Sequence, residues 1–315
     1  MVITDINVYA YERPVVLAGG PRTGWHISLT DREGRLGWGD AAPWPGFGAP
    51  IDDVPGSLRR LAARVRDRGH ADDDVLDGFP PAIAHAVSLA VADLEAQARN
   101  IPLARLYATA PALTVRSHVL IEDAVDARTA VERGATTLKL KLGRHALDDD
   151  LRRVARVRAA APEAALRLDV NGRWSRTQAD AAFDALAVHG PAWIEQPLSA
   201  ADWDGLSRLR QHFSTPVALD ESVVLDPGSA LDVADVVVLK PMFLGALRRT
   251  LDLAADAQRR GTGVCLTHAL GSPVERLGVQ HLTATLDDDG VHGVGHPADG
   301  DRLSLPSGPG LGVRP

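Results

Sequence analysis

Residues 136–143 read TTLKLKLG, and this short run contains two of the three lysines in the chain. Its residues alternate, so that Lys139 and Lys141 share one face of an extended strand and Leu138 and Leu140 share the other. Taken alone, this pattern is more typical of an amphipathic antiparallel strand whose lysines lie in water. In a parallel barrel strand, however, the leucine face packs against the outer helices and the lysines turn inward. The runs on either side decide between these interpretations.

Six further apolar runs occur at the spacing of repeated strand and helix units. They are VRSHVLI, ALRLDVNG, PAWIEQP, TPVALDES, DVVVLKPM and TGVCLTH, with Ala-, Leu- and Arg-rich segments between them. The charged residues that end successive runs are separated by 28, 26, 25 and 20 residues, which is enough for a strand, a loop and a crossover helix. At least seven such units predict an α/β fold with a (β/α)7β-type TIM barrel, although the sequence does not prove closure. These charged residues are Lys141, Asp169, Glu195, Asp220 and Lys240.

The first 110 residues have a different pattern. MVITDINVYAYERP and TGWHISLTDREGRLGWGDAAP predict an antiparallel meander with a turn near 31–34, and helices are expected around 53–68 and 81–99. We therefore predict an α+β capping domain over residues 1–110 and a catalytic barrel over 111–289. The Gly- and Pro-rich tail, 290–315, is predicted to pack back on the capping domain instead of extending the barrel.

Composition and charge limit the partners. With 45% hydrophobic and 24% charged residues among 315, the chain can bury a large core. A net charge of −7 disfavours nucleic acid, which requires a basic face, and favours a small-molecule substrate. The sequence has neither a secretory leader pattern nor an apolar run of about 18 residues, so we expect a cytoplasmic protein without a membrane partner. Cys265 is the single cysteine, so a metal ion would need oxygen or histidine ligands.

Lysine is rare in this chain. Of the 34 basic residues only three, Lys139, Lys141 and Lys240, are lysine. Guanidinium stays charged, so arginine cannot replace an amine that must lose and regain a proton. The retained lysines are therefore candidates for proton transfer, unless they persist by accident on solvated faces. Two ammonium groups two residues apart repel each other and are partly desolvated, and we expect both effects to lower their pKa.

Three consecutive predicted strands end in a carboxylate, at Asp169, Glu195 and Asp220. Each one alone could be a helix cap or a turn residue. Together they would repel one another unless a cation lay between them, and an oxygen-only set suits Mg²⁺, for which Mn²⁺ can substitute. Asn171 and Glu221 are near enough in sequence to be alternative ligands, although Glu221 could equally start a helix or join an ion pair.

Lys240 is predicted to lie two strands beyond Asp220, across the barrel from Lys139 and Lys141. Bases would then flank the metal from both sides. Such an arrangement fits removal of a proton from the carbon next to a carboxylate, because the metal holds the carboxylate while lysine takes the proton.

The motifs KLKLG, LDVNGRW, EQP, LDES and VVLKPMFLGAL, in this order, resemble the lysine-type branch of the enolase superfamily. This branch contains muconate cycloisomerases, dipeptide epimerases and o-succinylbenzoate synthases. The capping segment GWGDAAPWPGFG is most similar to that of the o-succinylbenzoate synthases of menaquinone biosynthesis. The resemblance covers about residues 1–280 and implies Lys141 as base and acid, Lys240 as the lysine across the ring and Lys139 as an electrostatic partner. It implies Asp169, Glu195 and Asp220 as the Mg²⁺ ligands.

The reaction implied by this resemblance is a lyase reaction, the dehydration of 2-succinyl-6-hydroxy-2,4-cyclohexadiene-1-carboxylate to o-succinylbenzoate. Lys141 would remove the ring proton and then protonate the departing hydroxyl on the same face. Three of the residues implied to contact substrate have an alternative role. Arg22 could be an ordinary solvated arginine, Arg167 could form a structural ion pair, and His268 could be structural. The residues implied to contact substrate are Arg22, Thr23, Gly24, Trp44, Phe47, Arg167, Asn171, Thr267 and His268.

Other functions remain open within the same residue set. A racemase of N-succinyl amino acids or a cycloisomerase uses the same base, metal and base. The segment LGSPVERLG after His268 lacks the Asp-x-Asp with which dipeptide epimerases hold a substrate ammonium group, so epimerase activity is disfavoured. A barrel that binds metal and metabolite without turnover is the alternative of a different class, and the retention of all three lysines speaks against it.

Overall fold

A computed structural model describes residues 2–15, 20–44, 46–48, 51–286, 288–295 and 301–312. The chain begins with an antiparallel sheet of three strands in the order β1, β2, β3. Gly34, with φ +75°, donates its N–H to Asp31 O at 3.1 Å in the turn before the last strand. The predicted meander and its turn are therefore confirmed. The strands are β1 (Ile3–Val15), β2 (Gly20–Asp31) and β3 (Leu36–Ala41).

Three helices follow the sheet, close to the predicted ranges. They are α1 (Val54–Arg68), α2 (Asp73–Leu76) and α3 (Pro81–Ala98), with a 3₁₀ turn at Leu103–Leu106. α3 lies directly on β3 because Gly37 and Gly39 have no side chain there. A Cβ at Gly39 would lie 1.8 Å from Ala86 O, and one at Gly37 would lie 2.1 Å from Ala90 O. The GWG motif is thus a packing motif that fixes α3 on the sheet.

The rest of the chain forms the predicted barrel. Seven parallel strands pair in the order β11 to β5 without interruption. The strands are β4 (Thr114–Ser117), β5 (Val119–Ile121), β6 (Thr137–Lys141), β7 (Ala165–Asp169), β8 (Trp193–Glu195), β9 (Val217–Leu219), β10 (Val236–Leu239), β11 (Gly263–Leu266), β12 (Val291–His292) and β13 (Arg302–Ser304). The helices are α4 (Ala124–Glu132), α5 (Leu147–Ala160), α6 (Arg176–Leu186), α7 (Trp203–His212), α8 (Glu221–Leu225), α9 (Pro227–Val233), α10 (Pro241–Leu244), α11 (Leu247–Arg259) and α12 (Pro273–Thr283).

β12 closes the ring. It pairs in parallel with Arg116 and Ser117 of β4 on one side. On the other side Gly293 N donates to Leu266 O at 2.8 Å, and His268 N donates to Gly293 O at 3.1 Å. The predicted α/β class, with a (β/α)7β-type barrel and a capping sheet, is confirmed. VRSHVLI, which we predicted as one strand, is divided into β4 and β5 at His118.

The tail differs in part from the prediction. Instead of packing only on the first 110 residues, it supplies the eighth barrel strand, β12, and then β13, which runs antiparallel to β4. Its last described turn does reach the earlier region, where Leu311 N donates to Oδ1 of Asp93 in α3 at 2.8 Å. Residues 296–300 and 313–315 lie outside the described residues. A barrel strand of two residues has too little apolar sequence to be visible in a Gly-rich stretch.

The alternation predicted for β6 is confirmed. Leu138 and Leu140 are fully buried against the outer layer. Lys141 pairs in register with Asp169, and Asp169 pairs with Glu195, so that the carboxyl ends of three strands meet at one level. Among the residues that the structure describes, no helix is both long and apolar enough to cross a membrane.

Candidate active site

The three lysines point into the carboxyl end of the barrel, and each contacts a buried carboxylate. Nζ of Lys139 donates to both oxygens of Glu195, at 2.8 and 2.7 Å, and lies 2.8 Å from Oδ2 of Asp169. Nζ of Lys141 donates to the same Oδ2 at 2.7 Å. Lys240 donates to Asp220. The alternative of lysines on solvated faces is therefore wrong.

Lys240 lies one strand nearer to Asp220 than we predicted. It directly follows β10, which pairs with β9, and Asp220 directly follows β9. The 20 residues from Asp220 to Lys240 contain the short helices α8 and α9 and then β10, with no other strand between β9 and β10. Lys240 nevertheless lies across the barrel from Lys141, because β10 is the fourth strand after β6 in the sheet.

Burial and the lysines set the protonation of the cluster. Burial raises the pKa of Glu195 to about 7 and that of Asp220 to about 6. Burial would also raise the pKa of Asp169, but Lys139 and Lys141 outweigh it and hold that pKa well below its usual range. The Asp169 carboxylate is thus the firmly ionised member of the three.

The expected lowering of the lysine pKa is wrong for Lys139. Burial lowers the pKa of the Lys139 ammonium, but the charges of Asp169 and Glu195 outweigh burial and raise it. The pKa of Lys240 is raised in the same way, with Asp220 as the largest opposing charge. Carboxylates in direct contact matter more than repulsion between the amines, because Coulomb energy grows as distance and dielectric constant fall.

The donor set fits a divalent cation. Oδ1 of Asp220 and Oε2 of Glu221 are buried, and neither has a hydrogen-bond partner among the described residues. Buried anionic oxygens without partners are costly, and a hard cation such as Mg²⁺ satisfies them. The lysine ammoniums lie between the three predicted ligands, which do not converge within 4.8 Å of one another in the part of the chain described. The carboxylates that would hold an ion are therefore the same ones that contact the lysines.

Asn171 connects Lys141 to Glu221. Its Oδ1 accepts from Nζ of Lys141 at 2.6 Å, and its Nδ2 donates to Oε1 of Glu221 at 3.0 Å. The residue has φ +50°, a left-handed conformation that asparagine tolerates better than most residues. Asn171 thus orients the lysine. Glu221 does start a helix, as the first residue of α8, and it also lies at the site.

A cavity of about 350 Å³ opens above these groups. Its charged lining is almost entirely positive, because Glu221 is the one carboxylate residue among the described residues that line it. The positive side chains are Lys139, Lys141, Arg144, Arg173 and Lys240. The apolar side chains include Trp44, Phe47, Leu120, Phe243 and Leu270. Such a cavity suits an anionic ligand with an apolar body.

The sequence did not point to His118, Arg144 or Arg173, which also line this cavity. Nδ1 of His118 lies 2.9 Å from Nη1 of Arg167. Because a guanidinium can only donate, Nδ1 accepts and the proton of the neutral ring is on Nε2. Burial, with Arg167 and Lys139 nearby, lowers the pKa of His118 well below its usual value. Arg144 directly follows KLKLG and Arg173 directly follows DVNG, so their positions after predicted strand ends could have identified them as cavity residues.

Arg167 lies one layer below the cavity, among barrel-interior groups. Its guanidinium stacks 3.9 Å from the Trp193 ring centroid and donates to Val291 O at 2.7 Å. Neither contact is an ion pair, so the structure supports a structural role but not the ion pair proposed as the alternative.

Arg22 and Thr23 line a second cavity, of about 410 Å³, on the capping sheet. The Arg22 guanidinium lies 4.4 Å from the Trp44 ring centroid and is buried, so the solvated alternative is wrong. Gly24 packs against the ring of Tyr11, where a Cβ would lie 2.3 Å away. Among the residues that the structure describes, Trp44 alone belongs to both cavities. The structure therefore does not bring residues 22–24 into the wall of the cavity above the lysines.

Phe47 lies over Lys240 at the mouth. Its ring centroid is 4.3 Å from Nζ of Lys240 and 4.6 Å from the stacked ring of Phe243. Thr267 and His268 line the cavity as predicted. Both ring nitrogens of His268 are bonded to backbone groups, however, at Gly295 O and Leu270 N, each at 3.1 Å. His268 therefore supports the wall and has no nitrogen free to bind a ligand.

Comparison with known proteins agrees with this geometry. The family described as Enolase C-terminal domain-like matches residues 122–315. A hydrophobic dipeptide epimerase of Citrifermentans bemidjiense is 32% identical over 290 residues, which cover 82% of this chain and 77% of the relative. An o-succinylbenzoate synthase of Thermosynechococcus vestitus is 28% identical over 298 residues, which cover 87% and 85%.

Solved structures show the same fold. A dipeptide epimerase from Enterococcus faecalis, complexed with Mg and L-Leu-L-Tyr, superposes with a TM-score of 0.87 at 23% identity, covering 99% of both chains. The muconate lactonizing enzyme of Pseudomonas putida gives 0.87 at 23% identity, covering 99% of this chain and 96% of that one. The chain therefore belongs to the enolase superfamily of metal-dependent enzymes, in the branch of the muconate-lactonizing enzymes and epimerases.

Proposed function

We propose that this chain is an o-succinylbenzoate synthase that dehydrates 2-succinyl-6-hydroxy-2,4-cyclohexadiene-1-carboxylate. The observation that carries the proposal is the lining of the cavity, where five cationic side chains and one carboxylate surround an apolar wall, and three of the cations are lysines that also contact the carboxylates below. The substrate carries two carboxylates on an apolar ring and chain, and so it complements this lining.

The residues would divide the reaction as follows. Asp169, Glu195 and Asp220 would hold Mg²⁺, which when bound neutralises the charge that develops on the substrate carboxylate. Lys141, at the end of β6, would take the ring proton and return it to the departing hydroxyl on the same face. Lys240 would stay charged on the opposite side, between Asp220 and the ring of Phe47.

A racemase of N-succinyl amino acids is the second candidate, and one observation favours it. Lys141 and Lys240 approach the cavity from opposite sides, which is what proton exchange on both faces of a carbon needs. Such substrates are also dianions, so the charge of the lining does not separate the two reactions.

Dipeptide epimerisation fits less well. After β12, the eighth strand of the barrel, Gly293 and Gly295 line the cavity and supply no side chain to bind an ammonium group. The chain has an Asp-x-Asp at 299–301, but Asp299 lies outside the described residues. Oδ2 of Asp301 accepts from Thr136 Oγ1 at 3.0 Å, beside the amino end of β6 and away from the lysines.

The test compares kcat/KM for the cyclohexadiene carboxylate and for an N-succinyl amino acid on one preparation. We expect the dehydration to be at least about 100-fold more efficient, which is a difference of about 2.7 kcal/mol in transition-state binding. Equal or higher efficiency on the amino acid derivative would contradict the synthase and favour the racemase. The proposed roles of the site residues would not change. Absence of α-proton exchange in deuterated buffer with either compound would support a barrel without turnover.

A further inference from the structure

The loop after β11 forms one wall of the cavity in a conformation that leucine rarely adopts. Ala269 and Leu270 line the cavity, and Leu270 has φ +58°. A left-handed conformation at a non-glycine residue persists only where the surroundings enforce it. Residues 268–272, which we call the β11 loop, therefore need an external support.

Every backbone N–H in the β11 loop has a partner, and four of the five partners are side-chain atoms. Ala269 N and Gly271 N donate to the two carboxylate oxygens of Glu275, at 2.7 and 3.3 Å. Leu270 N donates to Nδ1 of His268, and Ser272 N donates to Oδ2 of Asp40 at 2.6 Å. The loop thus depends on two carboxylates for three of its five amides.

The two carboxylates come from different parts of the molecule. Glu275 is in the first turn of α12, in the barrel, and Asp40 is in β3 of the capping sheet. Both are fully buried. They flank Gly271 closely, since a Cβ on this glycine would lie 2.8 Å from Oδ2 of Asp40 and 3.1 Å from Oε2 of Glu275. The glycine is required because the carboxylates occupy the space of a side chain.

The capping sheet holds Asp40 in turn. Tyr11 donates its hydroxyl to the two oxygens of Asp40 at 2.8 and 3.0 Å, and Arg13 donates to Gly271 O. Asp40 does not line the cavity above the lysines. The Asp of the GWGD motif therefore acts on the cavity through the β11 loop and not by touching a ligand.

We propose that Asp40 and Glu275 are positioning residues that hold the β11 loop in the conformation in which Ala269 and Leu270 form the cavity wall, and so set which substrate arm is accepted. The inference rests on the proposed carboxylate-binding cavity, but its first readout does not depend on the reaction. It also assigns the capping sheet a part in selectivity that does not require contact with substrate.

The experiment uses the full chain and the variant Asp40→Asn, with Asp93→Asn as the matched control. Asp93 is also buried and also accepts hydrogen bonds from the backbone, from Trp38 N at 2.9 Å and Leu311 N at 2.8 Å, but it does not touch the β11 loop. Amide hydrogen exchange is followed in peptides that cover residues 268–272. We expect exchange there to accelerate at least tenfold in Asp40→Asn and not in Asp93→Asn.

Selectivity is the second readout, measured as the ratio of dissociation constants for o-succinylbenzoate and N-succinyl-L-phenylalanine by calorimetry. We expect Asp40→Asn to change this ratio at least fivefold. In a Leu270→Gly background, where glycine takes φ +58° without strain, the same substitution should change it less than twofold. If Asp40→Asn does not fold, Tyr11→Phe removes one donor to the same carboxylate and gives the same comparison.

Unchanged loop exchange in a folded Asp40→Asn protein, or an unchanged ratio, would overturn the inference. An equal change in both Leu270 backgrounds would show that Asp40 acts elsewhere and would also overturn it. Failure of the wild type to bind either compound would remove the proposed function, while the exchange comparison would still decide whether Asp40 positions the loop.

Discussion

At the scale of single residues, lysine occurs at three positions in the chain, and each ammonium contacts a buried carboxylate. Lys141 and Lys240 differ in their other neighbours. Lys141 also donates to the Asn171 amide, whereas Lys240 lies under the ring of Phe47. An aromatic face favours the charged ammonium over the neutral amine. The two lysines therefore have different environments on the two sides of the cavity.

We predict that Lys141→Arg and Lys240→Arg each lose turnover while the fold is retained, the second because a bulkier guanidinium does not fit between Asp220 and the Phe47 ring. Arginine keeps the charge but cannot transfer a proton reversibly, so kcat should fall at least about 100-fold for Lys141→Arg. Steady-state assays with circular dichroism as a check on folding measure this. Arg152→Lys, at an exposed site, is the control and should change kcat little. Near wild-type kcat in Lys141→Arg would show that this lysine is not the base.

Glu275 should give the protein a measurable pH dependence of stability. Burial raises its pKa from 4.5 to about 7, so folding favours the protonated form. The stabilisation is complete below pH 4.5 and is lost as the pH rises through 7. Urea unfolding from pH 5 to 8 should therefore show wild type losing stability relative to Glu275→Gln, by up to about 1.4 kcal/mol per pH unit.

The exposed Glu163→Gln is the control for this titration, and its difference from wild type should stay flat. A constant gap between wild type and Glu275→Gln across the range would contradict the expected shift.

At the scale of secondary-structure elements, a local pattern could predict some strands but not others. β6 to β11 each combine an apolar run with a charged or polar end, so their positions were visible in the sequence. β12 was not, because Val291–His292 is two residues long and its partners, Arg116 and Leu266, are distant in sequence. The break at His118 was not visible either, because β4 and β5 are short and β4 pairs with residues distant in sequence.

The site was predictable to a similar extent. The carboxylates ending β7 to β9 and the lysines at the ends of β6 and β10 could be assigned because strand ends meet at one rim of a barrel. The lysine pKa values could not, since they depend on contacts of 2.7 to 2.8 Å between strands. Nor could the place of His118 in the cavity wall or that of residues 22–24 outside it, since both depend on packing between elements distant in sequence.

Packing between elements gives a third prediction. Gly39→Ala should destabilise the protein by about 3 kcal/mol or more, because its Cβ would lie 1.8 Å from Ala86 O and force α3 away from β3. Gly228→Ala is the matched control, with the Cβ 3.4 Å from Oδ1 of Asp226, and should change stability by less than about 1 kcal/mol. Urea unfolding compares the two; similar losses would mean that α3 does not lie tightly on β3.

At the scale of the whole molecule, the three proposed metal ligands, Asp169, Glu195 and Asp220, lie at the ends of three separate strands. Each of these carboxylates contacts a lysine ammonium. A bound ion would give the folded state a binding free energy that the unfolded chain lacks.

We predict that Mg²⁺ raises the Tm and that chelation abolishes activity, which Mg²⁺ or Mn²⁺ restores. At a free Mg²⁺ concentration of 100 times Kd, the stabilisation is about 2.7 kcal/mol. Differential scanning fluorimetry with and without a chelator measures it. Asp220→Asn should lose most of the Tm response, whereas Asp184→Asn, at the exposed surface, should keep it. Full activity after chelation would contradict metal dependence.

The short strand β12 also has a consequence for the order in which the ring can be completed during synthesis. Translation proceeds from the amino terminus, and parts of a chain begin to fold as they emerge. Until Val291, His292 and Gly293 have been made, the backbone edges of β4 and β11 that they pair with have no partner. Such edges can pair with other chains. A nascent barrel therefore stays open until β12 is made, and from the completion of β11 until then both of these sheet edges are exposed to aggregation.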